Sequence, residues 1–178
     1  MPSILLHSCC VPCSAHVINE LIKKYDVTLF YFNPNIFPEG EYQKRLQELR
    51  KYLQKIKLDL IQGKYDHQAW LEKIKGYENE PERGRRCEIC YRVRLEKTAL
   101  EAKKLGFDIF CSTLSISPHK DAQMINKIGQ ELSKEYNVPY LASDWKKQNG
   151  FKKSCDISRE EGFYRQSYCG CEFSIRER

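Results

Sequence analysis

The chain has 178 residues, 41% of them hydrophobic and 30% charged, with a formal net charge of +6 and nine cysteines. That length suits one domain with a substantial core and no need of disulfide staples, and it contains neither an apolar run of roughly 18 residues for a membrane span nor a basic-then-apolar signal segment. A cytoplasmic protein without a membrane partner is expected, and in a reducing compartment grouped cysteines read as metal ligands or redox thiols.

The apolar run Ser3 to His7 predicts a strand that ends at the first cysteines. Apolar residues at helical spacing from Ser14 to Lys24 predict a helix after it. Val27 to Phe32, rich in β-branched and aromatic residues, predicts a second buried strand stopped by Asn33-Pro34-Asn35. A helix over Glu41 to Lys57 and a third strand over Leu58 to Ile61 follow. Asp66 is placed to cap a helix through Lys75, and the polar stretch Gly76 to Arg86 predicts a mobile surface loop. Cys87 is expected to open a helix that Gly106 stops, with a fourth strand over Phe107 to Thr113. A turn at Ser117 to Asp121 leads into a helix ending near Tyr136. Val138 to Ala142 reads as a short fifth strand, confined to an edge or abolished by Pro139.

Alternation of strands and helices predicts a single three-layer α/β domain over residues 1–178, with a mostly parallel sheet and right-handed crossovers. The layout resembles nucleotide-hydrolase-like, HUP or Rossmann-like folds. From Asp144 the pattern becomes irregular, with a short helix expected around Ser158 to Phe163. The tail is expected to fold back over the sheet edge and the metal site.

Seven of the cysteines fall in three tight groups: Cys9, Cys10 and Cys13; Cys87 and Cys90; Cys169 and Cys171. Loops at the carboxyl ends of parallel strands form the ligand crevice of such sheets, and the first group leaves the first strand there. Helix starts favour thiolates and anionic clusters. Cys87 and Cys90, three apart, share a helix face, and Gly170 lets the backbone turn between Cys169 and Cys171. Seven thiolates exceed what one tetrahedral zinc accepts. A [4Fe-4S] cluster takes four and leaves three for a second site with open coordination. Cys111 and Cys155 stand alone and read as inert buried thiols.

Three other functions fit parts of the pattern. Cys10-Val-Pro-Cys13 has the spacing of a thiol-disulfide oxidoreductase, but the adjacent Cys9 and the distant groups exceed that need. A zinc-binding nucleic-acid module would use CxxC pairs, yet not seven thiols. An ATP-dependent tRNA-modifying enzyme needs a Gly/Ser-rich phosphate cradle where this chain has cysteines. Arg83, Arg85 and Arg86 precede Cys87, while Lys146, Lys147, Lys152 and Lys153 flank Trp145 and Phe151, so an anionic substrate suits the thiol site.

The segments Leu5 to Cys13, Cys87 to Leu95, Ser112 to Lys120 and Tyr164 to Cys171 resemble the metal-dependent epoxyqueuosine reductases of the QueH type, and the resemblance spans nearly the whole chain. It implies two-electron removal of the epoxide oxygen of epoxyqueuosine in tRNA by a [4Fe-4S] cluster with an adjacent mononuclear iron. It also implies an external electron donor, ferredoxin- or flavodoxin-like. On this reading Cys10, Cys87, Cys90 and Cys171 hold the cluster, and Cys9, Cys13 and Cys169 hold the iron. Protons come from Tyr168, His119 or a bound water, with packing and helix capping as the competing roles of the two side chains. His7 and His16 read as structural. An anticodon-loop substrate calls for phosphate contacts, for which Arg83, Arg85, Arg86, Lys152 and Lys153 are candidates, and for stacking by Trp145 or Tyr164.

Overall fold

The computed structural model describes residues 1–175. Four parallel strands form one sheet in the order β3-β2-β1-β4, where β1 is Ser3–His7, β2 Asp26–Tyr31, β3 Leu60–Gln62 and β4 Ile109–Ser112. The helices are α1 Val11–Leu21, α2 Glu39–Ile56, α3 His67–Lys73, α4 Arg85–Leu105, α5 Ala122–Tyr136 and α6 Gly150–Glu160. Alternation along β1 divides the core: Ile4 and Leu6 pack with α1 and α2, while Leu5 packs with α4 and α5. These are the three layers that the sequence pattern predicts. No helix among the described residues is long and apolar enough to cross a membrane.

The chain builds outward from β1 through β2 to β3, then returns through α3 and α4 to β4 on the other side of β1. Strand order therefore reverses between β1 and β4. Loops leaving the carboxyl ends of those two strands diverge and leave a crevice, the usual ligand position in an open parallel sheet.

Several boundaries differ from expectation. The third strand begins at Leu60, and α4 opens at Arg85 rather than Cys87, with Gly84 at its N-cap. Residues 76–86 are folded back on α4: Arg86 is buried and its guanidinium binds the carbonyls of Glu78, at 2.7 Å, and Glu80. The predicted fifth strand reduces to one parallel bridge between Phe110 and Tyr140, as Pro139 requires. The last helix spans Gly150–Glu160, well before the expected 158–163, because its buried face is made of Gly150, Ser154 and Ser158 and carries no apolar stripe.

Leu6 is fully buried at the centre of the sheet. Leu6→Ala is expected to lower stability by about 2–5 kcal/mol, read as an earlier midpoint in urea unfolding; a loss below about 1 kcal/mol would contradict this core placement.

Candidate metal centre

The first cysteine group is set by the turn from β1 into α1. Ser14 Oγ donates to the Cys10 carbonyl at 2.7 Å and lies 2.5 Å from Ser8 Oγ, while Asn33 Nδ2 donates to the Ser8 carbonyl at 2.9 Å. Cys10 caps α1 in an extended conformation, and the thiols of Cys9, Cys10 and Cys13 all lie within 4.8 Å of one another. Cys87 and Cys90 stand in the first two turns of α4. Both helices thus bring cysteines to their positive N-terminal ends, where thiolates are favoured.

The third group lies on no strand, so tertiary contacts must hold it. Arg45 of α2, 1% exposed, donates through Nη1 to the Cys169 carbonyl and through Nη2 to the Tyr168 carbonyl, each at 3.1 Å, and its Nε pairs with Glu41 at 2.6 Å. The Phe37 amide donates to the Gly170 carbonyl at 2.9 Å. Gly170 has φ +112°, and a Cβ there would stand 2.7 Å from Ile36 Cγ1, so only glycine fits. Further contacts tie the tail across the carboxyl ends of the strands: Gln166 Nε2 lies 2.9 Å from Cys10 Sγ, His67 Nε2 lies 2.9 Å from a Glu172 carboxylate oxygen, and Phe173 stacks on Trp70.

The result is one cleft of about 690 Å³, bordered by Cys13, Cys87, Cys90, Cys169 and Cys171, with Cys9 and Cys10 beneath Cys13. Sulfur donors around one cleft, four of them buried and three half-buried, suit a soft metal or an iron-sulfur group. The three distant groups are therefore brought together as expected.

Charge is unevenly shared among the thiols. Contacts from Cys10 and Cys13 hold Cys9 well below the usual thiol range against the opposing effect of burial, and Lys120 and Arg94 add to the depression. Cys13 is pushed up by its contacts to Cys10 and Cys9 and by burial. Cys10, although drawn down by Cys13, is pushed up to about 12 by Cys9 and burial. In the tail, a bond from Cys171 holds Cys169 well below the usual range despite burial, helped by Lys120 and Ser174. Cys171 rises correspondingly. Contacts among neighbouring thiols thus favour the thiolate form at Cys9 and at Cys169.

The other expected site residues are distributed less uniformly. Tyr168 borders the cleft, but its hydroxyl donates to the Phe37 carbonyl at 2.5 Å. His119 is exposed on the cleft wall; it does not cap α5, since Asp121 does so through the amides of Gln123 and Met124. Arg83 is exposed and reaches across the cleft mouth to the carbonyls of Pro118, at 2.5 Å, and His119, at 3.3 Å. Arg85 is exposed and pairs with Glu88 at 2.7 Å. Arg86 is only 2% exposed and bound to carbonyls, which removes it from the phosphate candidates. Lys152 and Lys153 are exposed on the first turn of α6, the helix whose Phe151, Ser154 and Ser158 form part of the cleft wall. Trp145 is half-buried against the core, its indole Nε1 donating to the Ser112 carbonyl at 2.9 Å, and Tyr164 is half-buried with Lys44 3.5 Å over one face of its ring.

Cys111 is buried away from the cleft, and burial pushes it up to about 12, as suits an inert thiol. Cys155 borders the cleft and accepts from Arg165 Nη2 at 3.3 Å, so it is not the buried thiol expected. His7 is fully buried between Ser112 Oγ and the Phe32 carbonyl, and burial lowers it to about 4, consistent with a structural neutral ring. Arg45, Arg94, Lys120 and Gln166 are the site residues that sequence reasoning missed. Their signal was weak: each is a common polar residue whose role depends on burial.

The chain matches the family model "Epoxyqueuosine reductase QueH" over residues 4–177. It is 42% identical to the epoxyqueuosine reductase QueH of Haemophilus influenzae, over 98% of this chain and 72% of that protein. The corresponding figures are 39%, 98% and 71% for Streptococcus pyogenes, and 35%, 100% and 93% for Thermotoga maritima. Among solved structures, the fold is similar to that of a protein described as a predicted subunit of tRNA methyltransferase from Methanocaldococcus jannaschii, with TM-score 0.58, 13% identity, and 91% and 88% of the two chains covered. It is also similar to that of the U34-tRNA thiolase NcsA from Methanococcus maripaludis with its [4Fe-4S] cluster, with TM-score 0.57, 12% identity, and 98% and 62% covered.

The thiolate at Cys169 has a chemical consequence. In metal-free protein its alkylation by iodoacetamide should rise much less between about pH 7 and 9 than that of an ordinary thiol, whose thiolate fraction grows roughly 25-fold over that range, and Cys111 should remain unlabelled until unfolding. Peptide mass spectrometry across that range reads both; a Cys169 rate that climbs like a free thiol would refute the assigned depression.

Proposed function

The chain belongs to the epoxyqueuosine reductase QueH family, and on that membership and its seven converging thiols we propose that it reduces epoxyqueuosine in tRNA to queuosine. The reaction class is that of an oxidoreductase. An epoxide, two electrons and two protons become an alkene and water, so the carbon-oxygen bonds break and the oxygen leaves protonated. We read 1–178 as one domain acting in the cytoplasm, where its tRNA substrate and a ferredoxin- or flavodoxin-like donor are found.

The convergence of the thiols carries this reading. When bound, a [4Fe-4S] cluster would relay single electrons and an adjacent iron with an open position would act as a Lewis acid toward the epoxide oxygen. In the proposed division Cys10, Cys87, Cys90 and Cys171 hold the cluster, while Cys9, Cys13 and Cys169 hold the iron. One observation supports it: Lys120 interacts with Cys9, Cys13 and Cys169 together, although Cys169 also packs against the group around Trp70 that holds Cys90 and Cys171.

The remaining work belongs to the protein. Cys90 and Cys171 are buried in the cleft, whereas its wall at Pro118, His119 and Phe151 is exposed to solvent. His119 stands exposed on that wall, where it can deliver a proton to the departing oxygen directly or through water. Tyr168 can do so only if its hydroxyl leaves the Phe37 carbonyl. Lys152 and Lys153 are the favoured phosphate contacts. Arg83 and Arg85 are secondary ones, since both already hold partners.

Anaerobic purification should yield about five irons and four labile sulfides per chain. With a chemical reductant, the loaded protein should convert epoxyqueuosine in tRNA to a nucleoside lighter by one oxygen, detected by mass spectrometry. One zinc and no sulfide would overturn the reading, and metal-free protein with a Cys10–Cys13 disulfide would favour thiol-disulfide exchange. Replacing Lys152 and Lys153 with Ala should weaken tRNA binding and reduce its log-log salt slope by about 2, whereas an unchanged slope would remove both from the interface.

A further inference from the structure

Two cations, Arg94 and Lys120, border this cleft together with its cysteines. Arg94, 2% exposed, follows Cys90 by one turn of α4, donates through Nε to the Cys90 carbonyl at 3.3 Å, and lies 5.9 Å from the Tyr91 ring centroid. Lys120 reaches the cleft from the other side, on the loop after β4, and borders it together with Cys13 and Cys169. Neither takes part in an ion pair among the described residues. The other buried arginines are provided for: Arg45 has Glu41, and Arg86 has two backbone carbonyls.

Arg94 is buried and Lys120 half-buried, and cations withdrawn from water in this way are costly unless negative charge lies nearby. Here that charge is sulfur. Burial disfavours both cations, yet the thiols outweigh it: Cys9, Cys13 and Cys169 hold Lys120 protonated, and Cys90, Cys9 and Cys169 do the same for Arg94. Both cations border the cleft that Cys13, Cys87, Cys90, Cys169 and Cys171 line, and so stand beside all three cysteine groups. Four thiolates around an iron-sulfur cluster outweigh its own positive charge, and reduction adds a further electron to that anion. A cation fixed nearby favours the reduced state and raises the potential.

We propose that Lys120 and Arg94 are positioning cations that balance the thiolate-bound centre and raise its reduction potential, Lys120 from the β4 side of the cleft and Arg94 from α4. This rests on the iron-sulfur reading above. It predicts that the cations act as charges and not as hydrogen-bonding shapes, so a different cation in the same place preserves the effect.

The test is a dye-mediated redox titration of the anaerobically loaded protein, followed by electron paramagnetic resonance. Lys120→Met and Arg94→Met should each lower the midpoint potential at unchanged iron and sulfide content, and the double variant should lower it further. Lys120→Arg should restore the wild-type potential. If Lys120→Met loses the cluster, recovery of iron and sulfide in Lys120→Arg supports the proposal, and loss in both overturns it. Loaded variants with wild-type potentials also overturn it. Wild-type protein that binds no iron or sulfide would instead sink the iron-sulfur reading, so the two failures are distinguishable.

Discussion

The guanidinium of Arg45 is the contact on which the site depends. Two of its donors bind the carbonyls of Tyr168 and Cys169, and a third is neutralised by Glu41 one turn earlier on α2. A strand is held by its ladder and a helix by its own bonds, but the segment bearing Cys169 and Cys171 has neither. Arg45 supplies fixed donors in their place. Glu41 makes the arrangement tolerable, because a buried guanidinium without an anion would lose more in hydration than it gains from two carbonyls. Glu41 also accepts from the Tyr164 hydroxyl at 3.0 Å, so one acid secures both the clamp and the start of the tail.

That clamp works because the sheet has already placed its target. Reversal of strand order between β1 and β4 opens the crevice, and α1 and α4 present their N-terminal ends with the first two cysteine groups. The tail need only cross the carboxyl ends of the strands to complete the set. Its anchors are loops and helices that follow those strands: Phe37 after β2, and His67 and Trp70 on α3 after β3. Concentrating so many thiols then creates an electrostatic problem, because neighbouring thiolates repel. Part of the answer is proton sharing, visible in the opposed shifts of Cys9 and its neighbours and of Cys169 and Cys171. The rest is positive charge from helix ends, Lys120 and Arg94.

The layers, the parallel sheet and the cysteine groups could be read from sequence because each leaves a periodic or clustered signal. β1 and β2 are short apolar runs, and α2 carries Tyr42, Leu46, Leu49 and Leu53 at helical spacing. Where the buried face is not apolar, that reading fails. α6 packs through glycine and serines, with Ser158 Oγ bonding the Ser154 carbonyl and Ser154 Oγ bonding the Pro12 carbonyl, so a hydrophobic pattern cannot reveal it. Arg86 and Arg94 fail for the opposite reason: a charged residue reads as surface until a third dimension supplies its carbonyls or its thiols. The same applies to Trp145, whose aromatic ring suggested stacking and whose indole nitrogen is bound to Ser112 within the fold.

The start of α1 shows how one physical device serves different chemistry. A helix N-terminus after the first strand of a parallel sheet offers unpaired amides and positive potential, and any compact anion is welcome there. Which anion depends on the side chains in the turn. In this chain Pro12 removes one of the amides that a phosphate would need, and Cys10 at the N-cap with Cys13 in the first turn fills the same space with sulfur. A diffusing phosphate must also bring its own negative charge and lose its freedom on binding. A thiol held by the chain has lost that freedom already, and it becomes an anion when a metal takes its proton's place. The fold supplies the potential, and the cysteines decide that a tethered soft ligand set, not a nucleotide, occupies it.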